Sequence, residues 1–194
     1  MGAIKGIGSA PVDAIIEERR ENGTYTSIFD FTKRVNLKVC SKKVFESLAY
    51  SGGFDSFRNV HRAQYFKEDS SGRVFLENAI RFGANFQENE NSSQFSMFGE
   101  ASGTEMPEPL IPLAEEWPSM HKLNKEKEVV GIFISGHPLD DFKLEIESFC
   151  KGNVGMISKP VENMGKEVMI AAVVTDCDER MTKHNDMYGR MTIE

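Results

Sequence analysis

Apolar residues recur at helical spacing from Gly2 to about Arg81. In PVDAIIEERR they stand at Val12, Ile15 and Ile16; in KKVFESLAYSGGF they stand at Val44, Phe45, Leu48 and Ala49, and Gly52 and Gly53 stop the run. A third segment, RNVHRAQYFKEDSSGRVFLENAIRFGANF, is broken by the polar residues Ser70 to Gly72 and predicts two helices. Residues 83–118 are rich in Asn, Ser, Glu, Gly and Pro, which predicts a flexible linker. Beyond it, WPSMHKLNKEKEVVGIF predicts a helix that starts near Ser119 and runs to Gly131, followed by the turn SGHPLDDF. Then the period changes. The β-branched run EVMIAAVVT, a polar bend at Lys183 to Asp186 and the alternating MYGRMTIE predict an antiparallel hairpin. The expected fold class is mainly α, divided into residues 1–82, the linker 83–118, a helical connector 119–165 and a hairpin 166–194.

Composition changes this picture little. With 194 residues, 40% hydrophobic and 27% charged, the chain has room for one or two ordinary domains. The longest apolar runs, VVGIFI and VMIAAVV, fall far short of the roughly 18–20 residues of a membrane span, and no signal layout precedes them. A cytoplasmic location with no membrane partner is expected. Cys40, Cys150 and Cys177 are far apart and form no C-x-x-C pair, which argues against a disulfide framework and a zinc site.

Charge changes it more. The net charge is −7, yet residues 1–63 hold ten Lys/Arg against seven Asp/Glu, and between Phe82 and His121 there are seven Glu and no Lys or Arg. One end of the chain suits polyanions and the middle repels them.

The stretch AIKGIGSAPVDAIIEER carries the first chemical signal. Gly6-Ile7-Gly8 makes a tight turn, and Ser9, read as an N-cap, and Pro11 open a helix. Glycines let the backbone approach a ligand closely, and the free N–H groups of the helix start point at any anion there. Ile7 is expected inward as an apolar pin, and Lys5 adds a point charge beside the turn. A plain glycine turn leading into a capped helix would look the same. A weaker copy follows in VNLKVCSKKVFESL, where Lys38 precedes a helix capped by Ser41 and begun by Lys42 and Lys43. It has Val39-Cys40-Ser41 in place of G-h-G, so its backbone cannot approach a phosphate as closely, and a solvated basic face is the alternative. Together the two helix starts could grip phosphates across a minor groove.

These residues carry a resemblance. GAIKGIGSAPVDAIIEERRENGTYTSIFDFTKRVNLKVCSKKVFESLAYSGGFDSF resembles the tandem helix-hairpin-helix region of bacterial replicative DNA polymerase III alpha subunits, and the likeness continues through NKEKEVVGIFISGHPLDDF into TKHNDMYGRMTIE. The resemblance implies a tandem helix-hairpin-helix domain over 1–82 that holds double-stranded DNA non-specifically. It also implies that residues 166–194 are the first two strands of an OB fold, which looks cut short where the chain stops. Sliding clamp (beta subunit) and other replicase subunits are the implied partners. The linker explains itself on this likeness. In the family it carries a clamp-docking pentapeptide, and Gln94-Phe95-Ser96-Met97-Phe98 matches every defined position: Gln94 for a polar subsite, Ser96 to turn the backbone, Met97 and Phe98 for an apolar pocket. Packing of Met97 and Phe98 on the chain's own helices is the other use of those side chains.

No catalytic residue, metal or cofactor is expected in this chain, because the family's polymerase carboxylates lie upstream of Met1. Asp176 and Asp178 have the i, i+2 spacing of a metal pair but read as a solvated strand end. Asp140 and Asp141 read as helix N-terminal acids, and His137 as a turn-stabilising residue. An autonomous helix-hairpin-helix repair protein or nuclease is the alternative function, and a protein–protein scaffold that does not touch DNA is the third.

Overall fold

A computed structural model describes residues 2–95, 106–152, 154–157, 165 and 167–194, with backbone alone at 91–95, 154 and 157. It divides into two compact units, residues 1–134 and 135–194. Among the described residues no helix is long and apolar enough to cross a membrane. The fold is mainly α, with one two-stranded sheet.

The first unit is built around SIFDF. Ser27 caps α2 (Ile28–Arg34): its Oγ accepts the Asp30 N–H at 3.0 Å, while Asp30 Oδ2 accepts the Thr26 N–H at 2.8 Å. Ile28, Phe29, Phe31 and Thr32 are all buried, so this short helix is apolar on most sides and takes the centre. The Phe31 ring meets Tyr25, Phe45 and Phe54 edge-on at 4.8, 5.4 and 5.2 Å, and Phe29 meets Phe75 and Phe82 at 5.9 and 5.5 Å. Around it lie α1 (Ser9–Asn22), which ends at Gly23, α3 (Lys42–Tyr50), the single turn α4 (Arg62–Tyr65) and α5 (Phe75–Phe95).

The expected linker boundary at residue 83 falls inside α5. The helix continues through Phe95 because GANF is a packing surface and not a break. Gly83 is buried against α2, so close that a Cβ there would lie 2.3 Å from the Thr32 carbonyl oxygen. One turn on, the Gln87 side-chain amide donates to the carbonyls of Thr32, Lys33 and Val35 at 2.9–3.1 Å, capping the end of α2 from a neighbouring helix. Residues 106–118 form a strap on the same unit. Met106 and Ile111 pack on the core; the Gln64 amide donates to the Pro112 carbonyl at 2.7 Å, and His61 Nε2 lies 3.0 Å from the Ala114 carbonyl. Trp117 stacks on Phe66 and Tyr50 at 5.4 and 6.0 Å.

The helix expected near Ser119 is α6 (Ser119–Val130), closed by Gly131 in the left-handed region at φ 90°. A buried ion network joins it to α4. Arg62, 5% exposed, donates to Glu126 Oε1 at 2.7 Å, to Asp55 Oδ2 at 2.6 Å and to the Tyr50 carbonyl at 3.3 Å. Glu126 Oε2 accepts the Ile134 N–H at 2.8 Å. Burial opposes the Arg62 charge, but its bonds to Asp55 and Glu126 outweigh that and raise its pKa.

In the second unit, the SGHPLDDF turn closes on itself as expected. His137 Nδ1 accepts the Leu139 N–H at 3.1 Å, and Asp140 Oδ2 accepts the His137 N–H at 2.6 Å. Asp140 and Asp141 open a 3₁₀ turn that leads into α7 (Lys143–Phe149); a single helical turn, α8 (Val154–Ile157), follows. The hairpin is β1 (Val174–Met181) with β2 (Met187–Ile193), so the first strand lies further along than EVMIAAVVT suggested. Register explains the shift. Asn185, at φ 67°, helps turn the chain; Met187 faces Met181, and seven residues of β2 reach back only to Val174. Asp176 and Asp178 therefore lie within the strand and not at its end, and Asp178 is bound by Arg180 at 2.7 Å.

Candidate nucleic-acid interface

The first hairpin spans residues 4–8. The Ile7 N–H donates to the Ile4 carbonyl at 3.2 Å, Gly6 takes φ 87°, and Ile7 is buried in the core. Only glycine adopts that φ without strain, so this turn requires Gly6. The helix begins one residue earlier than expected. Gly8, extended at φ −76° and ψ 174°, is the N-cap of α1, and Ser9 is already helical. Gly8 has no side chain to cap with, and the first turn holds no acid. Its N–H groups are thus left for an outside acceptor.

The second hairpin reaches a similar end by other means. Val39 and Cys40 N–H both donate to the Asn36 carbonyl at 3.1 and 2.9 Å, and the Lys38 N–H donates to Asn36 Oδ1 at 3.0 Å. Cys40, 1% exposed, is the pin in the place Ile7 holds in the first copy. Burial pushes its thiol pKa up. Sequence reasoning passed over both Asn36 and Cys40, although the alignment of Val39-Cys40-Ser41 on Gly6-Ile7-Gly8 could have found the cysteine. Ser41 occupies the N-cap of α3 but its hydroxyl makes no capping bond, and the first turn of α3 is Lys42, Lys43 and Val44, again without an acid. By contrast α2 is both capped and acidic at its start.

The two copies touch. Ser47 Oγ donates to the Lys5 carbonyl at 3.0 Å, and a Cβ placed on Gly6 would sit 3.0 Å from Lys43 Cε. The Lys43 stem thus lies along the glycine turn, with its charge exposed and with no ion pair among the described residues. The Lys5 N–H donates to the Val129 carbonyl at 2.7 Å, which fixes the hairpin to the end of α6. Lys5 contributes less free charge, because its field reaches Glu128; that carboxyl is held below its usual range chiefly by Lys125, which donates to it at 2.8 Å, and then by Lys5. Lys42 turns the other way. It pairs with Glu77 on α5 and lies 3.5 Å from Glu46, and the bond to Glu77 raises its pKa. Lys38 is exposed on the second turn, without an ion pair among the described residues. The structure therefore brings Lys5, Gly6, Ile7, Gly8 and Ser9 together with Lys43, and it engages Lys42 elsewhere.

Of the other expected site, Gln94 and Phe95 belong to the last turn of α5, and Ser96, Met97 and Phe98 lie outside the described residues.

Comparison with known proteins adds a second line. A family model described as a helix-hairpin-helix motif matches residues 1–65, the stretch that holds both turns. The DNA polymerase III subunit alpha of Escherichia coli strain K12 is 31% identical over 195 residues, covering all of this chain. The chain is homologous to one segment of DNA polymerase III alpha subunits. The subunit from Vibrio cholerae is 29% identical over 199 residues, and that from Borreliella burgdorferi 36% over 165 residues and 79% of this chain. The chain spans 16% of the length of the first two relatives and 13% of the third.

Proposed function

We propose that this chain is the part of a replicative DNA polymerase that holds duplex DNA without reading its sequence and tethers the enzyme to its sliding clamp. The observation that carries the first half is the closeness of the Lys43 side chain to Gly6, which sets a glycine-turn helix start beside an ammonium that has no ion pair among the described residues. Neither helix start has a side-chain capping bond or an acid in its first turn, which leaves its N–H groups open to phosphate oxygens. Such contacts position a duplex and carry no base code. Nucleotidyl transfer then belongs to the remainder of the polymerase, which works in the cytoplasm with the other replicase subunits. Homology along the whole chain favours this over an autonomous helix-hairpin-helix repair protein or nuclease, and over a scaffold that does not touch DNA.

Gly8→Val is the cleanest test. Gly8 has an ordinary φ and a new Cβ would meet nothing closer than Pro11 Cδ at 3.9 Å, so the fold should survive while phosphate approach is blocked. Losing bonds to a charged acceptor should weaken duplex binding by about tenfold in fluorescence anisotropy. Lys43→Ala should weaken it more than Lys42→Ala, because Lys42 already serves Glu77. Equal binding by the Gly8→Val variant and the parent would refute the phosphate site.

The clamp half rests on the match of residues 94–98 to the docking pentapeptide. Met97 and Phe98 offer roughly 3–6 kcal/mol of burial, reduced by the ordering of the peptide, so affinity should be about micromolar. Met97→Ala with Phe98→Ala should abolish binding to a bacterial sliding clamp on a sensor surface and leave duplex affinity unchanged. Undiminished clamp binding by that variant would remove the assignment.

A further inference from the structure

The strap at residues 106–118 displays two leucines to solvent. Leu110 is 93% exposed and Leu113 92%, whereas Ile111 between them packs against the core. A single exposed leucine is ordinary. These two differ in how they are held. Pro107, Pro109 and Pro112 fix their own φ and drive the residue before each toward extended backbone, and an extended proline-rich chain has three residues per turn. Positions 110 and 113 then share one side, about 9 Å apart, while 111 faces another. That matches the observed burial. The strap is fastened before, between and after the pair, by Met106 and Ile111 packed against the core and by the carbonyls of Pro112 and Ala114 on Gln64 and His61.

Charge restricts what can cover them. Glu115 and Glu116 follow the leucines closely, Glu108 before them is paired with Lys33 at 3.5 Å, and the stretch itself holds no Lys or Arg between Phe82 and His121. Nucleic acid and anionic lipid would be repelled. We infer that the strap is a ready-ordered docking strand for a second protein, one that offers two neighbouring apolar pockets rimmed by Lys or Arg. Because the backbone is ordered before binding, association loses little further conformational entropy, and two leucines can suffice as anchors. The surface uses none of the DNA-binding or clamp-peptide residues, so it stands or falls apart from them.

The experiment places benzoylphenylalanine at position 110 or 113 of the full-length protein in its own cells, irradiates, and maps the adducts by peptide mass spectrometry. The expected result is that both positions mark one protein, on neighbouring peptides with Lys or Arg alongside. Glu115→Lys with Glu116→Lys should lower the yield at least tenfold. With that partner purified, Leu110→Ala with Leu113→Ala should weaken binding at least tenfold, while duplex affinity and thermal unfolding stay at the parent values. Adducts confined to nucleic acid, lipid, the same chain or a second copy, adducts scattered over unrelated proteins, or a yield that survives the charge reversal would overturn the inference.

Discussion

Gly83→Ala is expected to destabilise the first unit by about 2 kcal/mol or more, read as a lower urea midpoint at unchanged slope. The added Cβ would lie 2.3 Å from the Thr32 carbonyl oxygen and 2.6 Å from its carbon, and both are backbone atoms of α2. α2 has no direction of retreat. Phe29 and Phe31 hold it in the aromatic core, and Gln87 holds its last carbonyls. Alanine would favour the helical state of α5 by about 1 kcal/mol over glycine, which opposes the effect. Overpacking against immovable backbone is worth roughly 1–3 kcal/mol and at times more, so the clash should win. A neutral or stabilised variant would mean that residue 83 opens a linker after all, and that α5 does not cross α2 at this distance.

Arg62→Met is expected to cost roughly 3–5 kcal/mol, because it leaves Glu126, 0% exposed, without its guanidinium. Glu126→Leu should cost less, since Asp55 still pairs with Arg62 at 2.6 Å from a half-exposed position. The double variant Arg62→Met with Glu126→Leu should be more stable than the sum of the two single losses by more than about 1 kcal/mol, because each substitution removes the charge that the other would strand. Urea unfolding of the four proteins gives this coupling. Strict additivity would show that the pair does not join α4 to α6.

These two sites also mark what the sequence could and could not convey. The glycine hairpin, the buried Ile7, the helix from Ser119 to the turn at Gly131 and the closure of SGHPLDDF by His137 and Asp140 were legible, because each depends on a short-range pattern with one physical cause. Residue 83 was placed at the start of the linker by composition, because a glycine in a loop and one that admits a neighbouring helix are the same letter. Residues 106–118 looked like linker by composition, yet Met106 and Ile111 packed against the core and backbone carbonyls on Gln64 and His61 hold them, and such partners lie some fifty residues away in sequence. Nothing local in the sequence marks Arg62 and Glu126 as a buried pair, for the same reason. The β-branched run before Val174 had the composition of a strand, but the ladder begins only at Val174, and among the described residues the run's backbone bonds reach no further than Val173 with Glu194 and the Met169 carbonyl with the Gly152 N–H. At the candidate interface, the turn residues were legible and the fate of the charges was not: nothing local separates Lys42, which Glu77 engages, from Lys43, which lies beside Gly6 with no ion pair among the described residues.

The central claim is that two open helix starts hold duplex phosphates, and the salt dependence of duplex binding tests it most directly. Each phosphate neutralised contributes about 0.9 to the slope of log K against log salt, so a site of two to four contacts should give a slope of roughly −2 to −4 with little preference among duplex sequences. Lys43→Ala should reduce the slope by about 1, and Lys42→Ala by less. Binding that is insensitive to salt, or that keeps its slope in the Lys43→Ala variant while discriminating between sequences, would contradict the account.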